Sequence, residues 1–334
     1  MSFEHILGQK RPIDILRKSL QNGTPAHAYL FYGRESVGKK QTAIALAKAL
    51  NCMESPVAAA CGQCASCRKI EQGIHPDFFL LEPVKSSPSA REGAIRIDDI
   101  RSLQKKLNYL PHEGATKVAV IDSAEKMNAQ AANAFLKTLE EPPRATILIL
   151  ITPNFHQLLP TIISRCQGIS FQPLPPEAVK QILARHEAID PAELDLRAVR
   201  CRGQISRALE EDLLLAGQTR QELLDLIETV SFDRVDVVFQ WARRWAKNSD
   251  RLPEQLNELM NLLRDLALLK FRCRAEHILN NDLMDRLKPL AVKTNRSSLL
   301  KMFESVLETQ YGLQGNLNVQ LSLETMLLKF CDAV

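Results

Sequence analysis

Two groups of residues have the types and spacing that chemistry requires. The first lies in "YLFYGRESVGKK", Tyr29 to Lys40: a short apolar run, a glycine-bounded loop and the start of a helix. The pattern is G-x-x-x-x-G-K-[ST], in which glycines let backbone N–H groups face a phosphate. The helix N-terminus adds its positive end, and the lysine reaches the outer phosphates. Gly33, Gly38 and Lys39 supply these parts, but Lys40 stands where a hydroxyl would hold Mg²⁺. The matching apolar run "VAVID" ends in Asp122, a carboxylate placed to steady Mg²⁺. In hydrolases of this architecture an acid comes next; here it is Ser123, which cannot act as a carboxylate base. Glu125 lies two residues further on. Side chains along an extended chain keep a fixed face, so Glu125 need not reach the same place. Two separate positions therefore lack their hydrolytic residue, which argues against catalysis here. Lys39, Lys40 and the backbone leave ATP or ADP binding open.

The second group is Cys52, Cys61, Cys64 and Cys67, spaced C-x₈-C-x₂-C-x₂-C. Four thiolates at this spacing suit tetrahedral Zn²⁺ with no position left for substrate, which makes the metal structural. An iron–sulfur cluster is the chemical rival, but its common run fails because Glu71 stands where the fourth cysteine belongs. Cys166, Cys201, Cys273 and Cys331 are scattered and read as ordinary buried residues. His75, beside Pro76, reads as a turn residue rather than a ligand.

These residues need elements to hold them. Apolar β-rich runs at 28–32, 77–83, 117–124 and 145–152 alternate with helical stretches at 39–52, 94–111 and 128–143. Fully apolar strands between helices argue a parallel sheet covered on both faces. In the 94–111 stretch, Ile100, Leu103, Leu107 and Leu110 form the apolar stripe, ended by Pro111. Asn128 reads as the cap of the next helix. The residues at 84–93 are the most loop-like. A proline-rich linker opens 171–183, and strand signals fade after about residue 210. The expected division is 1–170, 171–210 and 211–334.

The 334 residues are 45% apolar and 25% charged, the composition of an ordinary globular protein. A net charge of +4 is too mild to argue nucleic-acid binding by itself. No apolar run has the length of a membrane span, and the start lacks a signal peptide's pattern, so a cytoplasmic protein is expected. In that compartment eight cysteines point to metal or free thiols.

"NAFLKTLEEPP" (133–143), then "LLPTIISRCQGISF" (158–171) with Ser164-Arg165-Cys166, resembles the clamp-loader branch of the AAA+ ATPases. "FEHILGQ", "AHAYLFYG" and the cysteine insertion fit the same branch, and "NLNVQLSLETMLLKF" fits its collar. The resemblance implies an α/β AAA+ P-loop domain, a small helical lid and an all-α collar. It implies a ring of five subunits with gamma or tau motors and delta as partners, acting on a sliding clamp and primed DNA. Arg165 would then project into a neighbour's ATP site as an arginine finger. Thr152 would fall at the sensor 1 region and Arg207, in "GQISRAL", at sensor 2. Asn133, Lys137 and Glu140 would face the centre where DNA enters, with Lys137 and Glu140 spaced to pair along the helix. Motor subunits of the family carry G-K-[ST] and Asp-Glu, so Lys40 and Ser123 are departures of the kind a non-hydrolysing subunit has. An active ATPase motor subunit is the competing expectation.

Overall fold

The computed structural model describes residues 2–54, 59–84, 93–185, 189–210, 213–274, 278–314 and 318–331. The chain divides into two compact units, Met1–Glu210 and Glu211–Val334. The loop read at 84–93 lies outside the described residues except at its ends, where Val84 and Ala94 form an antiparallel bridge.

The first unit is built on a parallel sheet. Helix α1 (Lys10–Gln21) precedes β1 (Ala28–Tyr32), which leads into α2 (Lys39–Asn51) and then α3 (Ala65–Glu71). Strand β2 (Phe78–Leu81), α4 (Ile97–Leu107), β3 (Lys117–Ile121), α5 (Ala129–Glu140) and β4 (Thr146–Thr152) follow. The short α6 (Pro160–Ile163) and β5 (Gln167–Ser170) complete it. The order across the five-stranded sheet is β2-β3-β4-β1-β5. Every pairing is parallel.

Alternation explains the unbroken apolar runs. Tyr29, Phe31, Val118, Val120, Ile147 and Ile149 face a layer containing Leu16, Leu20 and Leu46 of α1 and α2. Ala28, Leu30, Ala119, Ile121, Leu148 and Leu150 face Ile100, Leu103, Phe135 and Leu139 of α4 and α5. Successive side chains of a strand point to opposite faces, so a strand buried on both must be apolar throughout. β3 and β4 are buried at every position.

Two sequence expectations change. α4 stops at Leu107, and Leu110 is 75% exposed instead of completing the stripe. Pro111 drives the residue before it out of the helical region, so the helix ends early. β5, with the sequence "QGIS", was not expected as a strand; of its four residues only Ile169 is buried. As an edge strand it presents almost nothing to the core. Asn128 caps α5 as expected, its side chain accepting from the Ala131 N–H.

Beyond the sheet, α7 (Pro176–Leu183), α8 (Leu194–Arg200) and α9 (Ile205–Glu210) share a small core of Leu174, Val179, Leu183, Ala198, Cys201 and Ala208. Gln9 joins this segment to the phosphate loop: its amide donates to the carbonyls of Val37 and Gln172.

The second unit is helical: α10 (Leu213–Thr229), α11 (Val235–Lys247), α12 (Leu252–Lys270), α13 (Met284–Lys293), α14 (Arg296–Gln314) and α15 (Val319–Cys331). α12 packs against α10, α13 and α14, while α15 packs on α11 and α14. Leu256, Leu259, Leu263, Leu266, Leu323 and Phe330 lie in its core. Asp265 is fully buried and accepts the N–H groups of Leu279 and Asn280. Among the described residues, no helix is long and apolar enough to cross a membrane.

Candidate phosphate site, finger arginine and metal centre

The loop from Gly33 to Gly38 joins the end of β1 to the start of α2. Gly33, Ser36 and Gly38 have φ of 137°, 55° and 98°, which curls the chain around the N-terminus of α2. Only glycine fits at position 33: an added Cβ would lie 2.2 Å from the Phe171 carbonyl oxygen. Lys39 is 6% exposed, and its Nζ donates to the Gly33 and Arg34 carbonyls at 2.5 Å each. Burial lowers its pKa, against the pull of Asp122, Glu35 and Glu125. The first turn of α2 holds no acidic residue. The helix N-terminus and Lys39 offer positive charge here, set against the carboxylates of Asp122, Glu35 and Glu125.

Lys40 does not point into open solvent. Its Nζ donates to Glu82 Oε1 at 2.6 Å and lies 3.7 Å from Asp122 Oδ2. Asp122 is held in place by its N–H, which donates to the Leu81 carbonyl. Ser123 follows with φ 55° and ψ 52° and opens a 3₁₀ turn over Ala124–Lys126. Glu125 sits in that turn. Its Oε2 is buried with no hydrogen-bond partner among the described residues, and its charge acts on Lys39. The chain stops being extended at Ser123, so the position of Glu125 is set by the turn and not by the two-residue period of a strand.

Thr152 and Arg207 were expected at the two sensor positions. Thr152 ends β4, fully buried, and its hydroxyl donates to the Asn154 carbonyl and accepts the Asn154 N–H. Both roles serve the turn. Arg207 is exposed on α9, whose first residue, Ile205, donates its N–H to the Ser36 carbonyl of the phosphate loop.

Arg165 lies between α6 and β5. Its Nη2 is 2.7 Å from Glu140 Oε1, and its Nη1 donates to the Thr161 carbonyl at 2.9 Å. Its side chain is 36% exposed. Glu140 therefore pairs with Arg165, not with Lys137 as helical spacing suggested. The two strings that carry the family resemblance touch through this ion pair.

The four clustered cysteines surround the C-terminal end of α2. Cys52 is its C-cap, Cys64 is the N-cap of α3, and Cys67 lies in the first turn of α3. The four sulfurs lie within 4.8 Å of one another, so the group can hold a metal ion. Backbone N–H groups point at the sulfurs: Cys61 N–H donates to Cys52, Gln63 and Cys64 N–H to Cys61, and Cys67 N–H to Cys64. Such donors favour sulfur that carries negative charge, as metal-bound thiolate does. Without metal, burial pushes the Cys67 thiol up to about 12. An ion on the deprotonated sulfur reverses that balance. His75 is buried outside the ligand set. Its Nδ1 accepts the Asp77 N–H, which leaves Nε2–H to meet Ser66 Oγ at 3.2 Å. Of the scattered cysteines, Cys201 and Cys331 are buried, Cys166 is partly so, and Cys273 is exposed, against expectation.

Comparison with known proteins agrees with this arrangement. The family described as DNA polymerase III, delta subunit, matches residues 8–175, and its C-terminal counterpart matches residues 216–332. The delta′ subunit of DNA polymerase III from Bacillus subtilis is 31% identical over 326 residues, covering 96% of this chain and 95% of that protein. The delta′ subunit from Pseudomonas aeruginosa is 41% identical over 193 residues, 58% of this chain and 53% of that protein. The tau subunit from Bacillus subtilis is 26% identical, covering 99% of this chain but 61% of its own length. With a glycine-bounded loop after an interior strand of a parallel sheet and a helical unit after that sheet, the chain belongs to the delta′ subunit family of DNA polymerase III.

Proposed function

We propose that this chain is the non-hydrolysing member of a DNA polymerase III clamp loader, helping a five-subunit ring place a sliding clamp on primed DNA. Arg165 acts in trans, on ATP held by a neighbouring gamma or tau subunit; delta completes the ring. The observation that carries this reading is the state of the chain's own site. Lys40 stands in the Mg²⁺ ligand position and is tied to Glu82 and Asp122, and Ser123 stands in place of the base. Arg165, in contrast, lies on the surface with its side chain 36% exposed. A planar cation supplied from a neighbour stabilises charge on the transferring phosphoryl group and contributes about 10³–10⁵ in rate.

Residues 1–170 form the nucleotide-site domain, 171–210 the lid and 211–334 the collar that holds the ring. Thr152 and Arg207 take the sensor positions. The four cysteines hold a structural Zn²⁺, and the chain works in the cytoplasm.

Reconstitution with gamma or tau, delta and the clamp tests the finger. Arg165→Ala should leave assembly intact while DNA-stimulated ATP hydrolysis and clamp loading fall at least about tenfold. Normal hydrolysis by the mutant ring would sink the assignment. One observation favours a motor subunit instead: Glu125 brings a buried, unpaired carboxylate oxygen close enough to act on Lys39. Steady ATP turnover by the purified chain, abolished by Lys39→Ala, would establish that reading.

A further inference from the structure

P-loop sites ordinarily hold Mg²⁺ between the loop hydroxyl and the strand-end carboxylate, where the ion bridges phosphate oxygens. The residues here do not fit that ion. The hydroxyl position is Lys40, which offers an ammonium and no ligand oxygen. Its ammonium lies 3.7 Å from Asp122 Oδ2, so a divalent cation on that carboxylate would meet a positive charge at contact range. Glu82 fixes the ammonium there through a 2.6 Å bond. Two carboxylates from the ends of neighbouring strands β2 and β3 thus share one tethered cation.

The phosphate side of the site is intact. The loop turns through positive φ at Gly33, Ser36 and Gly38, and α2 runs for 13 residues from Gly38. Lys39 is buried, with its ammonium on two loop carbonyls that a phosphate oxygen can replace. Lysine has three N–H donors. Lys40 spends one on Glu82 and makes only a 3.7 Å ion pair with Asp122, so donors remain for an incoming anion.

We propose that this P-loop binds the phosphates of a nucleotide without Mg²⁺, with the Lys40 ammonium standing in the metal's place. The proposal deepens the reading of the cradle as non-hydrolysing: an ammonium neutralises charge but cannot bring a water or phosphate oxygen into a metal coordination shell. It is independent of the Arg165 experiment, which reads a neighbour's ATP; either can fail alone.

The test is calorimetric titration of the full chain with ADP. Buffers are freed of Mg²⁺ on a chelating resin rather than with a soluble chelator, so that the cysteine site keeps its metal. ADP affinity should agree within about twofold with and without millimolar Mg²⁺. Asp122→Asn gives the two schemes opposite signs. In a Mg²⁺ site it removes a metal ligand and weakens ADP binding about tenfold or more. Here it frees Lys40 for the phosphates, and affinity should hold or rise. Lys40→Thr, which restores the hydroxyl, should make binding Mg²⁺-dependent by about tenfold, a shift of about 1.4 kcal/mol. The proposal is overturned by a tenfold gain on adding Mg²⁺ to the wild-type chain, or by weaker binding in Asp122→Asn. A Lys40→Thr chain indifferent to Mg²⁺ overturns it too, as does failure of the wild-type chain to bind ADP in either buffer.

Discussion

The two ends of α2 carry two different kinds of site. At its N-terminus is the glycine-bounded loop proposed to cradle phosphate, with Lys40 and Ser123 where a hydroxyl and an acid were expected. At its C-terminus is a cysteine cluster whose donor set is complete. The surroundings differ in the same sense. The metal end is braced from outside: Asn51, the last residue of α2, exchanges two hydrogen bonds with the Thr116 backbone. Asp77 accepts the N–H groups of His112, Glu113 and Gly114 at 2.8 Å each. The cradle end has its charges balanced locally, by loop carbonyls on Lys39 and carboxylates on Lys40. A closed ligand set with a satisfied surround is what a structural site needs. A cradle whose cations are already answered suits holding rather than turnover.

The strongest way to break this comparison is to open the metal end. Structural zinc in small peptides contributes about 10–16 kcal/mol at neutral pH. In this larger unit the loss is local, and Cys67→Ser should cost at least about 3 kcal/mol, roughly 6–12 °C in melting temperature. Protein purified without chelator should carry about one zinc per chain, and the variant well below that. Cys201→Ser supplies the contrast: it alters a buried thiol outside the cluster and should leave metal content unchanged. Iron, or metal retained by Cys67→Ser, would mean that the two ends do not differ as described.

A smaller effect is expected at Asp77. Burial pushes its carboxyl up, but the three backbone donors and nearby His75 outweigh that and hold it below the usual range. Because the folded pKa is depressed, the stabilisation is full above the unfolded value. It is lost as pH falls below about 3.9 toward the lower folded value. Asp77→Ala leaves three backbone N–H groups without their acceptor, at about 1–3 kcal/mol for each that water cannot reach. Denaturant melts at neutral pH should show a loss of about 3–5 kcal/mol. The variant's stability should also fall less steeply than wild type on acidification. An unchanged acid profile would remove Asp77 from the brace.

Much of this was legible in the sequence, for definable reasons. The cradle residues are contiguous, and the strands that hold them, β1, β3 and β4, are buried on both faces and apolar except at their ends. The cysteines are close in the chain, so spacing alone brings them together. What escaped depends on contacts between distant residues. Glu82 meets Lys40 from 42 positions away, and nothing in its local sequence marks it. β5 escaped because an edge strand with one buried residue has no pattern. Where Glu125 goes was not legible because the period of two ends at Ser123, where the backbone turns left-handed. Leu110 was assigned to a helix face by spacing, although the following proline had already ended the helix.

The smallest expected effect on stability lies at Glu140, and it bears on the finger rather than on α2. Glu140 and Arg165 form an exposed pair, 50% and 36% accessible, and such pairs contribute about 0–1 kcal/mol. Glu140→Gln should therefore leave the melting temperature of the chain within about 4 °C. Its effect on the ring should be larger than its effect on the fold. In the free chain Glu140 and the Thr161 carbonyl hold the guanidinium against α5 and α6. A phosphate across a subunit boundary must compete with that carboxylate. Neutralising Glu140 without shortening it removes the competitor while keeping the shape. The reconstituted ring should then show DNA-stimulated ATP hydrolysis equal to or above wild type. Glu140→Lys, which repels Arg165, should disturb the same readout with little change in the melt. A Glu140→Gln ring as slow as the Arg165→Ala ring would mean that the pair orients the finger instead of restraining it.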